Sequence, residues 1–146
     1  MGHIIDAGTA LQLLANSTRL GGHFEERHTK LSNQDLMARL YNGDSARNGE
    51  VQWISAFLTL GDAARAAAET LRGWGDDRYN AMINNRIAED VIAGETVLPF
   101  RARFAFGSGV RTIETRRTKM VLRATPEGPR YMIHTFYPRP PHEWDV

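Results

Sequence analysis

Apolar residues recur at helical spacing over the first two-thirds of the chain and at a spacing of two over the last third. Leucines at positions 11, 13 and 14 predict a short first helix over residues 9–16, since residues three to four apart share a helix face. A capping-box-like pair, Ser32 and Asp35, precedes an apolar stripe and predicts a helix that ends near residue 43. Residues 51–58 fit either a strand or an extended lead-in to the next helix.

Two further helices are predicted in the middle of the chain. An alanine-rich stretch predicts the clearest helix, over residues 62–72, because it begins at an N-cap residue, Asp62, and is followed by glycines. Either Asp76 or Asp77 can cap another helix that runs to about residue 93, where apolar residues continue at three-to-four spacing and a glycine follows.

The period of two predicts strands in the last third. One strand lies around residues 97–106, a second over 118–124 and a third over 131–137, with a Pro-Glu-Gly-Pro turn before the third. Helices followed by paired strands indicate an α+β fold in which N-terminal helices precede a twisted antiparallel sheet. A length of 146 residues suits one domain, 1–146, with a Pro/Arg-containing tail from about residue 138.

Alternation assigns the side chains of the final strand to two faces. One face carries Tyr131, Ile133, Thr135 and Tyr137, and the other carries Met132, His134 and Phe136. Because His134 has apolar neighbours, it is interpreted as a packed core histidine rather than a catalytic one. The hydroxyl of Thr135 and the phenol of Tyr137 open toward the other face, where a concave sheet would place a substrate.

Composition excludes several kinds of site. The absence of cysteine excludes thiolate nucleophiles, zinc–thiolate sites and a disulfide framework. His23 and His28 are five residues apart rather than the four that would place two metal ligands on one helix face, so no metal or other cofactor is predicted.

Charge is distributed unevenly behind a net charge of +1. Residues 1–100 hold nine Lys/Arg against thirteen Asp/Glu, whereas residues 101–146 hold nine against four. Because guanidinium groups bind phosphates through paired donors, this basic segment is a candidate for binding a nucleic-acid backbone. The alternative is a solvated sheet face. The residues predicted to bind RNA are Arg111, Arg116, Arg117 and Lys119.

Several short motifs occur together in one order: Gly-Gly-His at 21–23, Arg-His at 27–28, Leu-Met-Ala-Arg-Leu at 36–40, Phe-Gly-Ser-Gly at 106–109 and Ile-His-Thr-Phe-Tyr-Pro at 133–138. In this order and spacing, over roughly residues 10–140, the chain resembles the RNase A-like toxin domains at the C-termini of bacterial contact-dependent growth inhibition proteins and related polymorphic toxins. The resemblance implies a kidney-shaped α+β fold without disulfides and a metal-independent endoribonuclease. It implies an active site of His28, Arg39, Thr135 and Tyr137, with His23 as a second histidine.

RNA cleavage by attack of the 2′-hydroxyl on phosphorus needs groups of these kinds. A histidine can take the proton near neutral pH, so His28 is assigned to proton transfer. A guanidinium stabilises the charge that grows on the phosphate oxygens, which suits Arg39. His23 or Tyr137 can protonate the leaving oxygen, and Thr135 can hold a phosphate or a base edge.

The resemblance also implies a biological setting. The domain would be released from a larger exported carrier protein, act on RNA, such as transfer RNA, in the cytoplasm of a neighbouring bacterium, and be neutralised by a cognate immunity protein. A non-catalytic RNA-binding module is the alternative function, and it would bind RNA in a salt-sensitive way without forming product.

Overall fold

The computed structural model describes residues 4–19, 34, 46–48, 51–106, 109–125 and 131–141. Within these residues the chain forms three helices and five strands. The helices are α1 (Ala7–Arg19), α2 (Leu60–Leu71) and α3 (Asp76–Ile83), and the strands are β1 (Ala46–Asn48), β2 (Val51–Phe57), β3 (Glu89–Phe106), β4 (Gly109–Ala124) and β5 (Tyr131–Arg139). Helices beside an antiparallel sheet confirm the predicted α+β class, whereas the RNase A-like kidney shape stays a prediction.

The sheet curls so that its second and last strands meet. All neighbouring strands are antiparallel and lie in chain order. The long β3–β4 hairpin has an interrupted register between Glu95 and Phe100. β2 pairs along the C-terminal part of β3, and β5 pairs along the C-terminal part of β4. Even so, the Ser55 hydroxyl on β2 donates to the Pro138 carbonyl on β5 at 2.7 Å, which closes the curl.

Two of the predicted helices are confirmed, each starting earlier than predicted. α1 begins after Asp6, whose Oδ1 accepts the backbone N–H of Thr9 at 2.6 Å, and this bond lowers the pKa of the Asp6 carboxyl. α2 begins after Thr59, whose Oγ1 accepts the backbone N–H of Asp62 at 3.0 Å. The N-cap is therefore Thr59, and Asp62, the predicted cap, lies three residues after it in the first turn of the helix.

The predicted helix to about residue 93 is wrong beyond Ile83. α3 ends there, and Asn85 adopts a φ of 58°, the left-handed conformation that commonly follows a helix C-terminus. β3 then begins at Glu89, so the apolar residues that extended the helical pattern belong to a strand.

The order of elements also differs from the prediction of helices followed by strands. β1 and β2 lie between α1 and α2 in the sequence, and the ambiguous residues 51–58 form β2 up to Phe57. Pro138 and Arg139 are the last residues of β5 rather than the start of a tail. The turn predicted before β5 and the helix predicted over residues 32–43 lie outside the described residues, apart from Gln34, which is helical.

An aromatic cluster joins β2 to β5, the two strands that meet where the sheet curls. The ring centroid of Phe57 lies 5.5 Å from that of Phe100 and 5.0 Å from that of Phe136, and all three side chains are buried. These rings come from β2, β3 and β5. Aromatic contacts of this kind stabilise a fold by about 0.5–1.5 kcal/mol beyond the area that they bury.

α2 packs on the sheet through a close polar contact. The Thr70 hydroxyl donates to the Ala66 carbonyl at 2.7 Å and lies 2.6 Å from the Thr118 hydroxyl on β4. Since the only hydroxyl hydrogen of Thr70 is used on Ala66, Thr118 is the donor between the two. Gly94 on β3 faces this pair, and a Cβ there would come within 2.7 Å of Thr70 Cγ2. Glycine therefore lets the helix approach the strand.

A second polar contact ties α3 to β3. Asp90 accepts the indole N–H of Trp74 at 2.8 Å and two N–H groups of Arg78 at 2.9 and 3.1 Å. The bonds from Arg78 are the main cause of a lowered pKa at the Asp90 carboxyl. Trp74 is buried against the rings of Tyr79 and Tyr131.

Candidate nucleic-acid interface

A bulge at His134 sets which residues of β5 face the core. Val121 of β4 pairs with Thr135, but its neighbour Leu122 pairs with Ile133, so His134 is an extra residue on β5. A bulge of this type breaks the simple alternation of a strand. The prediction that Tyr131 and Ile133 share a face with Thr135 is therefore wrong.

The register instead defines two faces on the C-terminal part of β4 and its neighbour β5. The inner face consists of buried residues, Thr118, Met120, Leu122, Ile133 and Phe136. The outer face consists of Arg117, Lys119, Val121, Thr135, Tyr137 and Arg139. Thr135 and Tyr137 do share a face, as predicted.

The outer face brings together residues that the sequence analysis treated as two separate groups. Lys119 lies directly opposite Tyr137 in the register, and Arg117 lies opposite Arg139. Opposite residues have their Cβ atoms about 4.5–5.5 Å apart. Three cations, a phenol and the Thr135 hydroxyl thus share one surface of two strands. Such a surface can bind a phosphate through charge and hydrogen bonds together.

Tyr137 is partly shielded from solvent within this surface. Its side chain is half-buried and packs against the hydrophobic core. Burial raises the pKa of the Tyr137 phenol, and the positive charge of Arg139 opposes that shift only in part. The phenol therefore keeps its proton at neutral pH and is able to donate a hydrogen bond.

Arg117 is a constrained cation of the outer face. Its side chain is half-buried and donates from Nη1 to the Pro140 carbonyl at 3.1 Å. Burial, with a smaller effect of Arg139, lowers the pKa of the Arg117 guanidinium, and Glu95 opposes this shift. A guanidinium stays charged at neutral pH despite such a shift, so Arg117 presents a fixed positive charge.

The other predicted RNA-binding residues are placed differently. Arg116 is exposed, and its Nε donates to the Thr96 carbonyl at 2.9 Å, which orients the guanidinium across β3. Arg111 is exposed near the other end of β4, opposite Phe104. Arg117 lies six positions after Arg111 along β4, which corresponds to about 20 Å of extended chain. The structure therefore groups Arg117 with Lys119, sets Arg116 beside them and separates Arg111.

His23, His28 and Arg39 lie outside the described residues. Their assignment to proton transfer and charge stabilisation stays a prediction. The sequence analysis missed Arg139, which was placed in a tail because prolines surround it. Its signal was the alternation itself, since Arg139 follows Thr135 and Tyr137 at a spacing of two.

Within the described ranges, no group of three His, Asp or Glu side chains is arranged to hold a metal ion. In the same part of the chain, no helix combines the length and apolar character that crossing a membrane requires.

A comparison with solved structures shows a similarity of fold. No protein-family model matches the chain, and no curated protein matches it either. The fold is similar to that of a chain in the crystal structure of the CdiA-CT/CdiI complex from Y. kristensenii 33638, with a TM-score of 0.60 and 17% sequence identity. The match covers 82% of this chain and 100% of that chain. At this identity the similarity establishes a shared fold.

Proposed function

We propose that this chain is a toxin domain of interbacterial competition that cleaves RNA as a metal-independent endoribonuclease. The observation that carries the proposal is the outer face, where Lys119 lies opposite Tyr137 and beside Thr135 and Arg117. The shared fold with a chain of the CdiA-CT/CdiI complex supports the toxin setting. The sequence motifs that resemble RNase A-like toxin domains support the reaction.

In this proposal the 2′-hydroxyl of RNA attacks the adjacent phosphorus and expels the 5′-oxygen. His28 removes the proton of the 2′-hydroxyl, and the products carry a 2′,3′-cyclic phosphate and a free 5′-hydroxyl. Arg39 stabilises the negative charge that grows on the non-bridging oxygens. Proton transfer by a positioned side chain contributes about 10²–10⁴-fold to such a reaction.

The outer face holds the phosphate during this reaction. Tyr137 donates a hydrogen bond from its neutral phenol, and Thr135 donates one from its hydroxyl. Because burial raises the pKa of Tyr137, that phenol is a poorer source of a proton than an imidazole. His23 is therefore the better proton donor to the leaving oxygen. Lys119 and Arg117 supply positive charge across the strand.

The proposal includes the partners expected of such a toxin. A cognate immunity protein would neutralise the domain in the producing cell, as the pairing in the CdiA-CT/CdiI complex suggests. A larger exported carrier would deliver it to the cytoplasm of a neighbouring bacterium, where RNA is the substrate.

The test is RNA cleavage by the purified chain in excess EDTA. We expect fragments that end in 2′,3′-cyclic phosphate, and complete dependence on added metal would overturn the mechanism. His28→Ala should lower cleavage by about 10²-fold or more while the thermal melt stays close to that of the wild type. A variant that unfolds instead would show that His28 is structural.

A non-catalytic RNA-binding module is the second candidate, and the gathering of cations on the outer face favours it. In that case RNA would bind with an affinity that falls steeply with salt, without any product. His28→Ala would then leave the affinity unchanged. One titration and one gel with the same RNA separate the two candidates.

A further inference from the structure

A cleft opens where the register of β3 is interrupted. Its volume is about 330 Å³, and it is lined by Glu95, Pro99, Glu114, Thr115, Arg116, Arg117 and Pro141. Small-molecule sites usually have volumes of roughly 300–1,000 Å³, so the cleft suits a ligand at the small end of that range. Arg117 belongs both to the cleft and to the outer face, which makes the two surfaces continuous.

The walls of the cleft are held in place by hydrogen bonds. The Thr115 hydroxyl donates to the Arg139 carbonyl at 2.7 Å, and Arg117 donates to the Pro140 carbonyl at 3.1 Å. These two bonds fix the chain that carries Pro141. Pro99 lines the same cleft from β3, so two pyrrolidine rings supply apolar surface to a flat ligand.

The polar groups of the cleft include both donors and acceptors. Arg116 is oriented through its Nε by the Thr96 carbonyl, and its terminal nitrogens have no partner within the ranges that the structure describes. The carboxylate of Glu95 interacts electrostatically with Arg117, and the carboxylate of Glu114 lines the cleft beside Arg116. Both carboxylates belong to exposed residues that line the opening.

This charge pattern disfavours a phosphate and favours a nucleobase. Two carboxylates offset two guanidinium groups, so a dianionic phosphate would meet as much repulsion as attraction. A base edge that offers both donors and acceptors is the better complement. Guanine presents two adjacent N–H donors, at N1 and N2, which one carboxylate can accept together. It also presents O6 and N7, the acceptor pair that arginine binds most often.

We propose that this cleft binds a guanine base of the RNA strand, next to the phosphate held on the outer face. Glu114 or Glu95 accepts the N1 and N2 hydrogens, Arg116 donates to O6 and N7, and Pro99 and Pro141 contact the faces of the ring. The inference rests on the proposed function, since it assigns base preference to the same RNA-binding surface. Bases of single-stranded RNA are recognised in this way, through stacking and through hydrogen bonds to their edges.

The test uses short fluorescent 2′-O-methyl oligonucleotides, which lack the attacking hydroxyl and cannot be cleaved. Each carries one central guanine, inosine, adenine or cytosine among uridines, and fluorescence anisotropy gives the Kd with the full chain. We expect guanine to bind about tenfold more tightly than the other natural bases. Inosine, which lacks the N2 amino group, should fall between guanine and adenine.

Glu114→Gln and Glu95→Gln identify the carboxylate that is used, and Glu89→Gln is the matched control. Glu89 lies on the same strand as Glu95 but pairs with Arg123 at 3.0 Å, far from the cleft. One of the first two variants should lose the preference for guanine, whereas the control keeps it. Equal affinity for all bases, or a preference that survives in both cleft variants, overturns the inference.

The outcomes separate this inference from the proposed function. Cleavage of RNA without a preference for guanine would overturn the cleft assignment and leave the ribonuclease proposal intact. A preference for guanine without any cleavage of natural RNA would overturn the ribonuclease proposal and leave the cleft assignment intact. If guanosine monophosphate alone binds as tightly as the guanine oligonucleotide, the occupant is a free nucleotide, and the assignment to an RNA strand fails.

Discussion

The inner and outer faces of β4 and β5 share the same backbone but differ in composition and role. Phe136 and Tyr137 are adjacent residues, yet Phe136 lies opposite Met120 in the core and Tyr137 lies opposite Lys119 on the basic surface. Stability is concentrated on one side of this strand pair and proposed chemistry on the other. The difference shows how a single strand can present polar side chains on one face by anchoring neighbouring residues such as Phe136 in the core.

The largest effect on stability is expected from the loss of an aromatic ring on the inner face. Phe136→Ala should lower the free energy of unfolding by about 3–5 kcal/mol, because the change leaves a cavity beside Phe57. Urea denaturation followed by circular dichroism measures this loss. A loss below about 1 kcal/mol would mean that the aromatic cluster does not hold the two ends of the sheet together.

The matched change on the outer face is Tyr137→Phe. It removes only the phenolic hydroxyl, so the free energy of unfolding should change by no more than about 1 kcal/mol. RNA cleavage should fall roughly 10–10²-fold, since a donor to the phosphate is lost. Initial rates with a labelled RNA measure this effect. Unchanged cleavage would remove Tyr137 from the site.

Gly94→Ala tests how closely α2 packs against the strands at Thr118. The added Cβ would lie 2.7 Å from Thr70 Cγ2 and 2.9 Å from Thr118 Oγ1, so α2 must shift away from the sheet. We expect a loss of stability of about 1–3 kcal/mol, typical of overpacking. Gly75→Ala is the control, because nothing lies within 4 Å of a Cβ at that position.

The smallest expected effect concerns the carboxylate of Asp90. Its pKa is lowered in the folded chain, so its stabilising effect is complete above the unfolded pKa of about 4 and is lost as the pH falls through the folded pKa. Asp90→Asn should cost about 1 kcal/mol at pH 7 and less at pH 3. Thermal melts of both chains at the two pH values measure the difference. An equal difference in melting temperature at pH 7 and at pH 3 would contradict the link between ionisation of Asp90 and stability.

The helices show what the sequence pattern can and cannot predict. The alanine run of α2 was predicted because small helix-forming residues are followed by glycines, although its cap is Thr59 and not the predicted Asp62. The predicted helix after Asp76 was too long because Ile92 happens to continue the helical period, although it faces the core from β3. Gly94 resembled a helix stop, but its role depends on Thr70, whose approach no local pattern reveals.

The candidate site was predictable in part for a similar reason. Alternation alone was enough to pair Thr135 with Tyr137, because no irregularity separates them. The relation of these residues to Tyr131 and Ile133 was not predictable, since pairing with β4 inserts a bulge between them. The position of Lys119 directly opposite Tyr137 could be known only from the strand register. That register depends on contacts between the strands and not on the sequence of either strand alone.

The bulge at His134 also sets how the strand tolerates changes in length. Because His134 is the residue that the register skips, a chain that lacked it would keep Ile133 opposite Leu122 and Thr135 opposite Val121, and the ladder would become regular. Losing a second residue at the same place would shift the pairing by one and turn Tyr137 toward the core and Phe136 toward solvent. The bulge is therefore the place where β5 can lose one residue, but not two, without exchanging its inner and outer faces.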